Sequence, residues 1–205
     1  MVAHPPKPIE GARRMLTLQD SLIRLTPLTI DHFDAMLRIA EECPETWQYT
    51  PNNAHGADNM HRYIQSALVN RAAGKHLPFA IEHRPDSRII GSTRFYHIDK
   101  HHQTVNIGYT WLHSDFRGRS INKRAKFLLL QHAFEHWNMQ RIGFTADINN
   151  TASIRAMLSI GCTLEGILRS DIMLSSGQRR NTAVFSILQQ EWYGHVKAML
   201  AQKIR

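Results

Sequence analysis

Arg117-Gly118-Arg119-Ser120-Ile121-Asn122-Lys123 is the stretch whose residue types and spacing could do chemistry. An alternating, strand-like segment (105–113) precedes it, and a strongly apolar helical segment (121–137) follows. The first backbone N–H groups of a helix have no internal partner, and the helix dipole puts partial positive charge there, so the junction suits an anion. Gly118 permits close backbone approach, and Arg117, Arg119 and Lys123 add full charges. The reading is a seat for a diphosphate; a solvated basic loop is the plain alternative. No Gly-Lys-Ser/Thr follows, as a Walker loop requires, and the glycine spacing of a dinucleotide fingerprint is absent. His132 and His136 are spaced one helical turn apart, as zinc ligands can be, but Ala133 stands where a zinc protease carries Glu. No metal is expected.

The elements that must position this loop can be read from periodicity. A strand is expected over 22–28, then a helix capped by Thr29 or Asp31 and running to about Glu41, with Phe33, Met36, Leu37 and Ala40 on one face. Residues 43–57 read as a loop that could fold over a cleft; its Trp47 and Tyr49 would either line an acceptor pocket or anchor the loop. A second helix, 59–73, stops at Gly74. Strands at 77–82, 88–98 and 105–113 are joined by short turns, which makes them antiparallel. The helix over 121–137 then leads to a strand at 141–147, a right-handed parallel crossover that places the helix start at the carboxyl ends of the strands. Asn149, Asn150 or Thr151 caps a short helix closed by Gly161. Strands at 164–174 and 181–188, joined by a turn at 175–178, and a terminal helix at 191–204 complete the chain.

At 205 residues, 1–205 is expected to be a single domain, with the proline-bearing residues 1–12 as a loose arm. No apolar run approaches a membrane span. Cys43 and Cys162 form no metal or redox spacing, so a reduced, cytoplasmic protein is expected. The formal charge of +8 favours an anionic partner: a phosphorylated cofactor, an acidic substrate or nucleic acid. The basic run 122–126 opens a core helix rather than an exposed face, which argues against nucleic acid.

Several motifs in this order resemble a known family. They are Gly91-Ser92-Thr93-Arg94, Ile107-Gly108-Tyr109-Thr110-Trp111-Leu112, the loop Arg117 to Asn122, Ala125-Lys126, Asn150 with Ser153, Gly161, Glu165-Gly166-Ile167-Leu168-Arg169 and Phe185-Ser186-Ile187. Over about 18–200 the chain resembles the GNAT acetyltransferases, in their RimJ/RimL-like branch. The resemblance implies an α/β (α+β) GNAT fold: a mixed, mostly antiparallel central sheet of about seven strands with a parallel splayed pair and helices on both faces. It also implies an acetyl-CoA-dependent N-acetyltransferase. Trp111, Leu112 and His113 would pair with the pantetheine arm. Arg117, Gly118, Arg119, Ser120, Ile121, Asn122 and Lys123 would hold the pyrophosphate, and Asn150 and Ser153 would lie near the thioester. Relatives are often homodimers, though nothing in the sequence locates an interface.

Departures from the family pattern bear on the chemistry. Ser120 replaces a usual second glycine, Asn106 and Ile172 replace carboxylates of some relatives, Asn181 replaces Asp, and Met157 stands where some members carry a catalytic tyrosine. A non-catalytic GNAT-fold binding protein with a drifted centre is therefore the alternative. In the enzyme reading, a backbone N–H near Tyr109 to Trp111 polarises the thioester and Ser153 assists the leaving thiolate. Glu165, Asp99 and His97 are the other conceivable bases. Lacking a strong base, such an enzyme would suit an N-terminal α-amine, which is roughly a tenth neutral at pH 7, better than lysine, at less than about one part in a thousand. The acceptor, a protein N-terminus or a small molecule, is not specified by these motifs.

Overall fold

The computed structural model describes residues 16–174 and 176–205. The expected loose arm at 1–12 lies outside the described residues, as does Ser175 of the expected hairpin turn. The eight described strands form one sheet in the order β1-β2-β3-β4-β5-β6-β8-β7. They are β1 (Leu18–Gln19), β2 (Ile23–Pro27), β3 (His76–His83), β4 (Arg88–Asp99), β5 (Thr104–Leu112), β6 (Arg141–Asp147), β7 (Thr163–Met173) and β8 (Arg179–Leu188). The strand beyond the expected seven is β1. Two residues cannot carry an alternating pattern, so only its pairing with β2 reveals it.

Four helices matter for the site: α1 (Phe33–Glu42), α2 (Ala57–Ala72), α3 (Ile121–Gln131) and α4 (Thr151–Ser159). Met36, Ile39, Met60, Tyr63, Ile64 and Ala67 of α1 and α2 pack on one face of the sheet, against Ala80 and Trp111. Ala125, Leu129 and Leu130 of α3 pack on the other, against Phe79, Phe95, Val105 and Ile107. Each helix buries one apolar stripe, as amphipathic spacing dictates. After Gln131 the α3 helix loosens into a π-helical turn, His132–His136, before β6 begins.

Two irregularities in the sheet shape the site. First, β5 and β6 pair in parallel only at Thr104↔Arg141, Val105↔Ile142 and Asn106↔Gly143. Beyond Asn106 the strands splay apart, while β6 remains paired to β8 along its whole length. The side-chain oxygen of Asn106 fills the space beside Gly143: a Cβ there would lie 2.4 Å from it. Second, Ser92 faces Trp111 and Arg94 faces Gly108, so Thr93 alone opposes Tyr109 and Thr110. Tyr109, with φ of 51°, is the bulged residue. The bulge re-aims the following residues, leaving Thr110 toward α3 and Trp111 toward α2.

Candidate active site

Both α3 and α4 begin at the carboxyl ends of the splayed parallel pair, so two helix N-termini face one V-shaped gap. This is where a sheet with a crossover offers a ligand site. At α3 the chain passes through two left-handed residues, Gly118 (φ +74°) and Ser120 (φ 59°), before turning into the helix. Ser120 makes no side-chain cap bond, and the first turn of α3 holds no acidic residue. The first internal bond is Arg124 N–H to the Ser120 carbonyl, so the N–H groups of Ile121, Asn122 and Lys123 remain for an anion. These features fit the pyrophosphate of a CoA.

Ser120 also explains why a glycine suits its position. A left-handed serine costs roughly 1 kcal/mol that glycine avoids, and no cap bond would be lost. Ser120→Gly is expected to stabilise the fold by about 1 kcal/mol in urea unfolding, with acetyl-CoA affinity unchanged or higher.

The expected site residues divide. Trp111 lies on β5 beyond the last pair with β6, with Ser92 of β4 as its partner. His113 is committed elsewhere: its N–H donates to Ile90, its carbonyl accepts from Phe116, and its Nε2 meets Glu42 at 2.8 Å. It closes the strand and ties down α1. The Leu112 carbonyl accepts from Arg117 Nε at 2.9 Å. Arg117 also pairs with Glu45 and Thr46, which holds the Glu45 carboxyl below its ordinary range. Its charge is therefore directed at the 43–57 segment, whereas Arg119 and Lys123 form no salt bridge among the described residues. Asn150 caps α4 by accepting from the Ser153 N–H at 2.9 Å. The backbone at Ser153 is thus satisfied by Asn150, not by its own hydroxyl.

The candidate bases hold other positions. Glu165 is bound by Arg141 and Ser186, and the Arg141 bond pulls its pKa down. Asp99 accepts the His102 N–H in a surface turn. His97 is exposed. The rings of His132 and His136 lie 5.1 Å apart, and no group of three or more potential metal-binding side chains exists among the described residues. Trp47 is an anchor: it is buried against Trp111 and Tyr63, at ring separations of 5.4 and 6.2 Å. Each such aromatic pair adds about 0.5–1.5 kcal/mol beyond its burial.

Tyr96 was not among the residues expected at the site. From β4 its ring crosses over Gly108, where a Cβ would lie 2.8 Å from it. Its hydroxyl reaches Thr145 Oγ1 of β6 at 3.4 Å. The hydroxyl therefore bridges the splay. The signal in the sequence was the glycine in the middle of an otherwise bulky strand, which marks a close approach.

On the α2 face lies a hollow of about 430 Å³, bordered by Tyr109, Tyr63, His76, Arg94, Arg62 and Asn59, among others. Asparagines 52 and 53 of the 43–57 segment also line it. The start of α3 and this hollow lie on opposite faces of the sheet, and the splay runs between them.

A family model described as "Acetyltransferase (GNAT) domain" matches residues 23–163. YdaF of Bacillus subtilis (strain 168), provisionally named a ribosomal N-acetyltransferase, is 28% identical over 109 residues, 53% of this chain and 58% of that protein. The uncharacterised N-acetyltransferase p20 of Bacillus licheniformis is 26% identical over 184 residues, 88% of this chain and all of that protein. Among solved structures, one from T. thermophilus, provisionally assigned as an acetyltransferase, superposes with a TM-score of 0.83 at 29% identity, covering 100% of both chains. Among the described residues, no helix is long and apolar enough to cross a membrane.

Proposed function

Since this chain belongs to the GNAT acetyltransferase family, we propose that it transfers an acetyl group from acetyl-CoA to a primary amine of low pKa, such as a protein N-terminal α-amine, by direct attack on the thioester. The observation that carries the reading is the splay of β5 from β6 after three pairs, ending at an uncapped, cationic helix start.

The chemistry is assigned to this chain's residues as follows. Backbone N–H groups of α3, with Arg119 and Lys123, hold the diphosphate. The β6-facing edge of β5 beyond Asn106 aligns the pantetheine arm. A backbone N–H at the Tyr109 bulge polarises the thioester carbonyl, where negative charge develops. The amine nitrogen bonds to the carbonyl carbon, the carbon–sulfur bond breaks, and the Tyr96 hydroxyl gives its proton to the departing thiolate. The proton lost by the amine passes through water to restore Tyr96, so amine and acetyl-CoA become amide and CoA thiol. The Ser153 hydroxyl is an accessory hydrogen-bond donor to the sulfur. The amine must arrive neutral. No carboxylate borders the hollow among the described residues, which favours an acceptor that loses its proton to water.

Calorimetry with acetyl-CoA tests the reading. At a hundred times its dissociation constant the ligand should stabilise the fold by about 2.7 kcal/mol. Arg119→Ala combined with Lys123→Ala should weaken binding by tenfold or more, since each charge-assisted contact contributes about 1.5–3 kcal/mol, without lowering the melting temperature of the free protein. Absence of binding at millimolar acetyl-CoA would remove the proposal.

A further inference from the structure

Arg94 is 2% exposed, yet its Nε and Nη2 have no hydrogen-bond partner. Its guanidinium lies between two phenol rings, 4.8 Å from the centre of Tyr63 and 3.9 Å from that of Tyr109. The remaining nitrogen, Nη1, has only His76 Nδ1 at 3.5 Å. Burial first, and the charge of Arg94 second, push His76 down to about 4, so it is neutral at pH 7. No described Asp or Glu forms a salt bridge with Arg94, and none borders the adjoining hollow. A buried, uncompensated cation is costly, and stacking on aromatic faces offsets only part of that cost.

We infer that the hollow bordered by Arg94 and Tyr109 is the acceptor subsite, and that Arg94 binds a carboxylate carried by the acceptor amine. This rests on the acetyl-transfer reading and narrows its substrate class. Nε and Nη2 share one edge of the guanidinium, so a carboxylate meets both donors side-on, the geometry in which arginine is most selective. The two rings lie against the guanidinium, whose Nε and Nη2 edge is buried until the acceptor displaces a covering side chain. Tyr109, 36% exposed, is the ring that gives way as the acceptor enters. Because Tyr109 is also the bulged residue of β5, a carboxylate seated on Arg94 places the acceptor nitrogen beside the splay. Arg94 also neutralises the carboxylate, which would otherwise hold a proton on the amine.

The test compares acceptors differing only in that group: peptides beginning with Asp or Glu against Asn or Gln, and the α-carboxamides of aspartate and glutamate against those of asparagine and glutamine. The expected result is that kcat/KM favours the acids by about 10- to 100-fold, the range for a charged hydrogen-bonded contact. In Arg94→Gln that preference should fall to within about threefold, with acetyl-CoA affinity and the melting temperature retained. Peptide and small-molecule arms identify which source of the carboxylate is used; preference for the acid in either arm supports the subsite. An independent check on the wild-type protein with acetyl-CoA is the melting shift with glutarate against glutaramide: glutarate alone should raise it. Equal use of acids and amides, no turnover of any acid while acetyl-CoA binds, or equal shifts with the two probes would each overturn the Arg94 assignment. Loss of acetyl-CoA binding in the wild type would instead overturn the acetyl-transfer reading beneath it.

Discussion

Tyr96→Phe is expected to lower kcat by about 10²- to 10⁴-fold, the range for removing a positioned acid, while acetyl-CoA affinity stays within about threefold. The reason is positional. The hydroxyl spans from β4 to Thr145 on β6, over the strand whose edge the cofactor is proposed to follow. It is therefore a phenol that reaches across from β4 to β6 where β5 and β6 part. Little else is lost on substitution. The bond to Thr145 is long at 3.4 Å, Thr145 is exposed, and the ring's packing against Gly108 is kept, so stability should change by about 1 kcal/mol at most. Ser153→Ala, removing only an accessory donor, should cost about tenfold or less. Steady-state kinetics with calorimetric acetyl-CoA affinities separate the two. A Tyr96→Phe enzyme within threefold of wild type in kcat would return the proton to Ser153 or to water.

Regular elements were legible because each carries its own period. The apolar stripe of α2, the alternation of β5, and the caps at Asn150 and Gly161 all lie within a few residues of the bonds they specify. The parallel crossover followed from chain order alone. What was hidden depends on pairs far apart in sequence. The β1 strand exists through its partner. The tie from Arg117 to Glu45 spans 72 residues, and in one dimension a loop arginine next to a phosphate seat looks like part of that seat. Asn106 did not read as a spacer until Gly143 was seen to leave room for it. Arg94, at the centre of an apolar strand, was legible only as part of a family motif. Its significance lies in what fails to surround it, and a missing partner leaves no mark on local sequence.

Lys126→Met is expected to stabilise the folded protein at pH 7 by a few kcal/mol and to flatten its stability between about pH 7 and 9.5. Lys126 lies on α3 beneath the splay, 5% exposed. Its Nζ donates to Thr110 Oγ1 at 2.6 Å and stands 5.9 Å from the Phe144 ring. The thiol of Cys162 is nearby, itself pushed up to about 12 by burial, and supplies no negative charge. Burial therefore brings the lysine down to about 7. The folded-state pKa lies below the unfolded value, so below pH 10 the unfolded chain holds a proton more firmly than the folded one. Stability from this group is fully present only above about 10.5, and it is lost as pH falls toward 7, by about 1.4 kcal/mol per unit at most. Methionine fills similar volume without a charge to desolvate. Thr110 keeps a partner, since Thr93 Oγ1 lies 2.8 Å from its hydroxyl. Urea unfolding of both proteins at pH 7, 8 and 9 makes the comparison: the wild type should gain stability across the series relative to the variant. Parallel profiles would mean that the lysine reaches water in solution and does not titrate inside the fold.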